Sequence, residues 1–240
     1  FMGDALAHSA FPAMILGILL GVNILVAAIP GVVIMALLLG YIVNRSKIGE
    51  DTAIGILFSS LFALGFILLS IYDTVPLNIE DVLFGQILGV SNNDVLITFV
   101  LLLIVVITSL IFYKQFLFIS FDPIGAKVSG LRVNLLDNIF LIVLSLAIIG
   151  ALQSVGIILV LSMLITPAAA AKLIMKTFVG SIVAGSIFGI TASVIGLYLS
   201  YYLDFPSGPS MALTAASIFV IVWILKQSFN YSSTNYIIPK

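Results

Sequence analysis

The chain contains no cysteine and only one histidine among its 240 residues. The absence of cysteine excludes disulfides and thiolate metal sites. A single histidine excludes the H-E-x-x-H motif of zinc proteases, which needs two, and no G-x-S-x-G sequence points to serine chemistry. The chain also lacks the sequence G-x-x-x-x-G-K-[ST], so it does not bind ATP through a P-loop. The sequence motifs therefore give no support for the common classes of hydrolytic enzyme.

Charged residues are scarce as well, at 8% of the chain, whereas 62% of the residues are hydrophobic and the mean hydropathy is +1.33. A typical soluble domain carries about a quarter charged residues, enough to cover a surface exposed to water. These few charges are not enough, so we expect lipid to be the solvent for most of the chain. The net charge of −1 does not point to a nucleic acid partner. The predicted fold class is all-α, a polytopic bundle of transmembrane helices forming one domain over residues 1–240.

Long apolar runs set the predicted number of helices. A membrane-spanning helix needs about 20 mostly apolar residues. The runs at residues 135–151 and 154–171 are so close together that they form either two helices or one broken helix. The runs predict spans at residues 4–20, 22–43, 52–72, 94–112, 135–151, 154–171, 179–203 and 210–226.

The basic residues support this arrangement of spans. With these boundaries all nine lysines and arginines fall on one side of the membrane. The positive-inside rule assigns that side to the cytoplasm. The C-terminus is then predicted to be cytoplasmic. The opposite side receives the acidic residues Asp73, Glu80, Asp81, Asp94 and Asp204.

Two of the connections carry signals for short helices. On the outer side, residues 76–89 (PLNIEDVLFGQILG) are too short to span, and Asn78 is suited to cap an interfacial or re-entrant helix. On the inner side, the segment FISFDPIGAKVSGLR places Asp122 as an N-cap and Pro123 at the first helical position. Small residues follow, and they predict a low-profile surface on which a partner can lie: Gly125, Ala126 and Gly130.

Small residues also recur at helical spacing inside the predicted spans. Gly17 and Gly21 are four residues apart, and so are Gly185 and Gly189. Such pairs allow membrane helices to approach closely. We expect them to serve packing within the bundle rather than an interface between subunits.

One polar stripe interrupts the first apolar run. Asp4 and His8 are four residues apart, so a helix places them on the same face, with Pro12 one turn further on. Because Pro12 has no N–H, it leaves the carbonyl of His8 without its helical donor. A carboxylate and an imidazole together suit manganese, zinc or ferrous iron. The alternative is that the two side chains only pair with each other and stabilise the helix.

Several segments resemble those of one family. MGDALAHSAFPA (residues 2–13) resembles the motif M-G-D-x-x-x-H-A-x-x-P/L-G of permease subunits from bacterial ABC importers for manganese, zinc and iron. Ser9 replaces the usual alanine and Ala13 the common glycine, and neither change removes a candidate ligand. The family has another helix upstream, so we expect sequence before Phe1. Further segments that resemble family motifs are SKIGEDTAIGILFSSLFALG, LFGQILGV, FDPIGAKVSG, SVGIILVLSMLITPAAAA and DFPSGPSMALTAA.

This resemblance implies a set of partners and roles. Similar proteins form homodimers with the fold of the cobalamin-importer permease, a type II ABC importer. Each dimer binds two cytoplasmic ATPase subunits and receives metal from an extracytoplasmic binding protein. Asp4 and His8 match the positions that line the path and coordinate the ion. Residues 121–132 match the coupling-helix region, with Asp122, Pro123, Gly125, Ala126 and Gly130 at its centre.

The predicted function is therefore the transmembrane permease of an ATP-driven importer for manganese, zinc or iron in the bacterial plasma membrane. The chain itself is not expected to be an enzyme or to hold a permanent cofactor, because the divalent metal is its cargo. One alternative is a secondary transporter that couples metal to protons without an ATPase. Another is an ABC permease for a metal chelate. The residues do not distinguish among the three metals.

Overall fold

A computed structural model describes residues 2–45, 49–71, 90–156 and 159–234. All regular structure in these ranges is helical, which confirms the predicted fold class. The interfacial or re-entrant helix predicted at residues 76–89, with Asn78, lies outside the described residues. The helices are α1 (Met2–Leu19), α2 (Ile24–Arg45), α3 (Glu50–Ile71), α4 (Asn92–Ile111), α5 (Tyr113–Phe121), α6 (Pro123–Val128), α7 (Val133–Val155), α8 (Val160–Ile174), α9 (Phe178–Leu203) and α10 (Ser207–Thr234).

Each of the eight predicted spans overlaps mainly with one helix, although the sixth, predicted from residue 154, begins only at Val160. In the described residues, six helices are long and apolar enough to cross a membrane, and two apolar helices, Ala5–Leu19 within α1 and Val160–Ile174, are shorter. A helix of 15 residues such as α8 rises about 22 Å, less than the roughly 30 Å of a hydrocarbon core. The fifth and sixth runs form two helices, because α7 ends at Val155 and Gly156 adopts a positive φ of 80° before α8.

The chain divides into two compact units, and the division falls in the last turn of α7, between Gln153 and Ser154. In the first unit α1 packs against both α2 and α3, and every residue from Ala5 to Pro12 is buried. Gly17 faces Ala27 so closely that a methyl group at Gly17 would collide with it. Gly21 has a different role from the predicted one, since it turns the chain between α1 and α2 with a φ of 67°.

A polar tie also holds the first unit together. Asn23 donates from Nδ2 to Oδ1 of the buried Asp94 over 2.7 Å, and its own Oδ1 accepts from the backbone N–H of Leu25 at the start of α2. The other carboxylate oxygen of Asp94 accepts from the hydroxyl of Ser91 over 2.7 Å, and the Ser91 hydroxyl caps α4 in return. One carboxylate therefore joins the beginnings of α2 and α4.

In the second unit α8, α9 and α10 pack against one another. Gly185 and Gly189 on α9 lie against the α8 segment from Pro167 to Ala171, which confirms the prediction that this pair serves packing within the bundle. Gly196 on α9 approaches the backbone of Met211 on α10 even more closely. Small residues thus set how near the three helices come.

Candidate functional site

The imidazole of His8 lies inside an aromatic cluster. Its side chain is only 9% exposed. The ring meets Phe58 and Phe62 of α3 edge to face, with ring centroids 4.6 and 4.8 Å away. Aromatic pairs prefer this arrangement, because the positive edge of one ring meets the negative face of the other. The only histidine of the chain is therefore held in a defined orientation between α1 and α3.

The sequence of α3 explains how this cluster forms. Phe58, Phe62 and Phe66 are each four residues apart, so they line one face of the helix. Phe11, one turn after His8, packs on Phe62 and Phe66 with centroids 5.5 and 5.2 Å away. Gly65 makes room for the ring of Phe11, since a methyl group at that position would collide with it. Two successive turns of α1 thus pack against the aromatic face of α3.

The other members of the predicted stripe are placed as follows. The backbone of Asp4 belongs to α1, one turn before His8, and its carboxylate lies outside the described side chains. Pro12 lies within α1 and is buried. Ser9, which stands where the family motif has alanine, donates its hydroxyl to the carbonyl of Leu6 over 2.6 Å. That local bond satisfies the hydroxyl without a ligand.

The described residues of this chain do not gather the side chains that most often bind transition metals into one cluster. They contain no group of three or more histidine, cysteine or acidic side chains placed to hold one ion. The ligands predicted from the sequence are the pair Asp4 and His8. A stable structural site uses three or four protein ligands, so this pair from one copy would hold an ion only weakly.

The predicted coupling region forms the short helix α6. Asp122 accepts a hydrogen bond from the backbone N–H of Gly125 over 2.8 Å, and Pro123 occupies the first turn, which confirms the predicted N-cap and N1 positions. Ala126 is fully buried, so it supports α6 from beneath and does not belong to the exposed surface. Gly130 adopts a φ of 84° just after the helix, a conformation suited to glycine.

Beside the exposed Lys127, α6 presents an apolar face made by residues that the sequence did not single out. Ile124 is 77% exposed and Val128, one turn later, is 83% exposed. Phe121, the last residue of α5, is exposed as well. A spacing of four residues was the available signal, because it places Ile124 and Val128 on one face. The prediction of a low-profile surface made by glycine and alanine is corrected in this respect.

Two further carboxylates have environments that the sequence did not indicate. Asp94 is buried in the tie with Asn23 and Ser91. The pattern of serine followed three residues later by an acidic residue was its signal, since it is typical of a capping box. Asp137, which follows the basic loop near the start of α7, lines a cavity between α2, α5 and α7.

Comparisons with known proteins match nearly the whole chain. Residues 1–226 match the ABC 3 transport family. The manganese transport system membrane protein MntC of Listeria monocytogenes is 40% identical over 239 residues, which are 99% of this chain and 85% of that protein. The manganese import system permease protein ScaB of Streptococcus gordonii is 39% identical over 230 residues, covering 96% of this chain and 82% of ScaB.

Two more similarities extend the comparison. The chelated iron transport system membrane protein YfeD of Yersinia pestis is 34% identical over 223 residues, covering 93% of this chain and 75% of that protein. Among solved structures, PsaBC from Streptococcus pneumoniae in complex with Fab matches with a TM-score of 0.82 and 40% identity, covering 92% of this chain and 80% of the matched chain. The resemblance to metal importer permeases is confirmed, and the chain belongs to the ABC 3 transport family.

Proposed function

We propose that this chain is the transmembrane permease of an ATP-driven importer of a divalent transition metal, with manganese as the first candidate. The observation that carries the proposal is the match to the ABC 3 transport family over residues 1–226, together with relatives at about 40% identity that are named for manganese transport. The six long apolar helices support a multi-pass membrane location.

Asp4 and His8 are proposed to contact the ion as it passes. Two copies related by a twofold axis bring the same residues to that axis, so a homodimer offers two carboxylates and two imidazoles. Such a site suits a carrier, which must release its ion as readily as it takes it up. Phe58 and Phe62 pack on the imidazole in the described conformation, so a shift of α3 away from α1 is proposed to open His8 to the ion.

Energy is proposed to enter through α6, because the chain has no P-loop of its own. The exposed Ile124 and Val128 offer an apolar ridge for the ATPase subunit, and Asp122 and Pro123 hold the start of that ridge in place. Closure of two ATPase subunits on ATP would then push α6 and switch the bundle between two packings. The positive-inside rule supports a cytoplasmic α6 and C-terminus, with an extracytoplasmic protein delivering metal to the opposite side.

Reconstitution tests the class of transporter. Proteoliposomes that hold the permease and its ATPase, with the binding protein added outside, are expected to take up Mn²⁺ only with ATP on the ATPase side. Liposomes with the permease alone should take up none, even under a proton gradient. Uptake by the permease alone would instead establish a proton-coupled secondary carrier.

Substitutions test the path separately. Asp4→Ala and His8→Ala permeases are expected to assemble with the ATPase but to lose Mn²⁺ uptake. Ser9→Ala is the matched control, because it restores the alanine of the family motif beside His8 and removes only a hydroxyl bonded to the backbone. If both site variants import at the wild-type rate, the residue assignment is wrong while the importer itself stands.

A metal chelate is the second candidate cargo, because one relative is named for chelated iron transport. The two cargoes differ in what competes for uptake. Free Mn²⁺ transport is abolished by an excess of a strong external chelator, whereas transport of a chelate survives it. The same liposomes therefore decide between the two cargoes.

A further inference from the structure

A cavity of about 320 Å³ opens in the first unit between α2, α5 and α7. Most of the residues that line its wall are apolar, with Leu39 and Val43 from α2 among them. Three side chains interrupt this wall with oxygen atoms, namely Ser120 from the end of α5 and the neighbours Asp137 and Asn138 from α7. All the lining residues belong to the first compact unit.

A glycine keeps the polar end of this cavity open. A methyl group at Gly40 would lie 2.7 Å from Oδ1 of Asn138 and 3.2 Å from Cδ1 of Leu141. Any larger residue at position 40 of α2 would therefore displace the amide of Asn138. Asp137 beside it is half-buried, and no hydrogen bond or ion pair reaches its carboxylate from another residue in the described ranges.

The chemistry of these groups favours a hard cation. A carboxylate, an amide carbonyl and a hydroxyl supply only oxygen, which is what Mn²⁺, Mg²⁺ and Ca²⁺ prefer. The Ser120 hydroxyl donates to the carbonyl of Phe116 over 2.8 Å, which leaves its lone pairs free to accept or to coordinate. Six waters occupy about 180 Å³ in the liquid, so the cavity has room for an ion that keeps most of its hydration shell.

The cavity also lies close to the turn that carries the candidate metal ligands. Leu39 lines the cavity and is buried in the same cluster as Ala5, the residue after Asp4. Val43 lines the cavity too, and it packs against that cluster together with Phe58, which covers His8. The cavity and the α1 turn that follows Asp4 therefore border the same apolar cluster.

We propose that this cavity is a second cation site, in which Asp137 is the only anionic ligand and Asn138 and Ser120 complete an all-oxygen set with water. It rests on the proposed function, because the cation it takes is the transported divalent ion on its way past Leu39. A site with one charged ligand binds weakly and exchanges its ion rapidly, as a stage in a transport path requires.

Mn²⁺ itself is the probe for this site. The sharp electron paramagnetic resonance spectrum of hydrated Mn²⁺ loses intensity on binding, so titration of the purified permease–ATPase complex counts bound ions. In the Asp4→Ala/His8→Ala background we expect Mn²⁺ binding to remain, and adding Asp137→Asn should weaken it by about tenfold or more. Adding Asp51→Asn, which neutralises an exposed carboxylate in the first turn of α3, should leave it unchanged.

A second variant guards against a loss of folding. Gly40→Ala keeps every charge but displaces the Asn138 amide, so it should weaken the residual binding while Asp137→Glu retains part of it. The proposal is overturned if Asp137→Asn leaves the residual binding intact, if Asp51→Asn lowers it equally, or if no binding remains in the Asp4→Ala/His8→Ala background. ATP-driven uptake by the unaltered complex is measured alongside, so a failure of the importer itself is seen independently.

Discussion

The apolar ridge of α6 makes a quantitative prediction about ATPase binding. Ile124 and Val128 are 77% and 83% exposed, so most of their hydrophobic surface is still available for a partner to bury. Full burial of such a side chain is worth about 2 kcal/mol. Truncation of both to alanine removes most of that gain, so we expect association with the ATPase subunit to lose roughly 2–3 kcal/mol, which is roughly 30- to 150-fold in Kd.

The assay is a titration of the labelled ATPase subunit against the permease in detergent, followed by Mn²⁺ uptake in liposomes. The fold should be unaffected, because exposed truncations usually change stability by less than about 0.5 kcal/mol. The chain offers a matched control on α9, where Ile190 and Val194 repeat the same residue types at the same spacing and are 65% and 49% exposed. Their double alanine variant should bind the ATPase as the parent does.

Two results would refute the reasoning. The first is an α6 double variant that binds the ATPase with unchanged affinity. The second is an equal loss in the α9 control, which would show that the loss comes from general damage to the bundle. An α6 variant that binds normally but no longer transports would keep α6 in the mechanism while removing the apolar ridge as the source of affinity.

Two further predictions concern stability. Gly196→Ala should lower the free energy of unfolding by about 1–3 kcal/mol, because its methyl group would lie 2.5 Å from Cα of Met211; thermal unfolding in detergent measures this. Gly55→Ala, where a methyl group meets nothing within 4 Å, should be neutral or stabilise by up to about 1 kcal/mol, and a similar loss in both variants would contradict the packing argument. Asn23→Ala leaves Asp94 without the amide donor, so it should lower the free energy of unfolding by about 1–3 kcal/mol and speed hydrogen exchange at the starts of α2 and α4. Unchanged exchange there would show that the Asn23–Asp94 hydrogen bond does not stabilise these helix starts.

The helices were predictable because the lipid bilayer leaves few alternatives. A backbone in hydrocarbon must satisfy its own hydrogen bonds, so an apolar run of sufficient length becomes a helix wherever it occurs. Local chemistry also set the start of α6, since Asp122 and Pro123 act on the first turn that follows them. The weak point was length, because α8 is apolar yet shorter than a full span.

The surroundings of the candidate site were not predictable in the same way. The three phenylalanines of α3 form a visible pattern, but nothing in their spacing says that the ring facing them belongs to His8. The sequence shows only that Asp137 follows a basic loop, whereas its environment depends on how α2 and α5 approach α7. Such facts come from contacts between distant segments, which one sequence does not contain.

The burial of α1 has a consequence for how the protein is made. Every residue from Ala5 to Pro12 is covered by neighbours, mainly α2 and α3, although this stretch carries the histidine and an internal proline. Such a segment gains little from lipid alone, and polar atoms in it favour protein partners over acyl chains. During biogenesis α1 therefore acquires its stable place only once α2 and α3 have left the translocon, so a substitution on α3 can stop the maturation of a helix synthesised well before it.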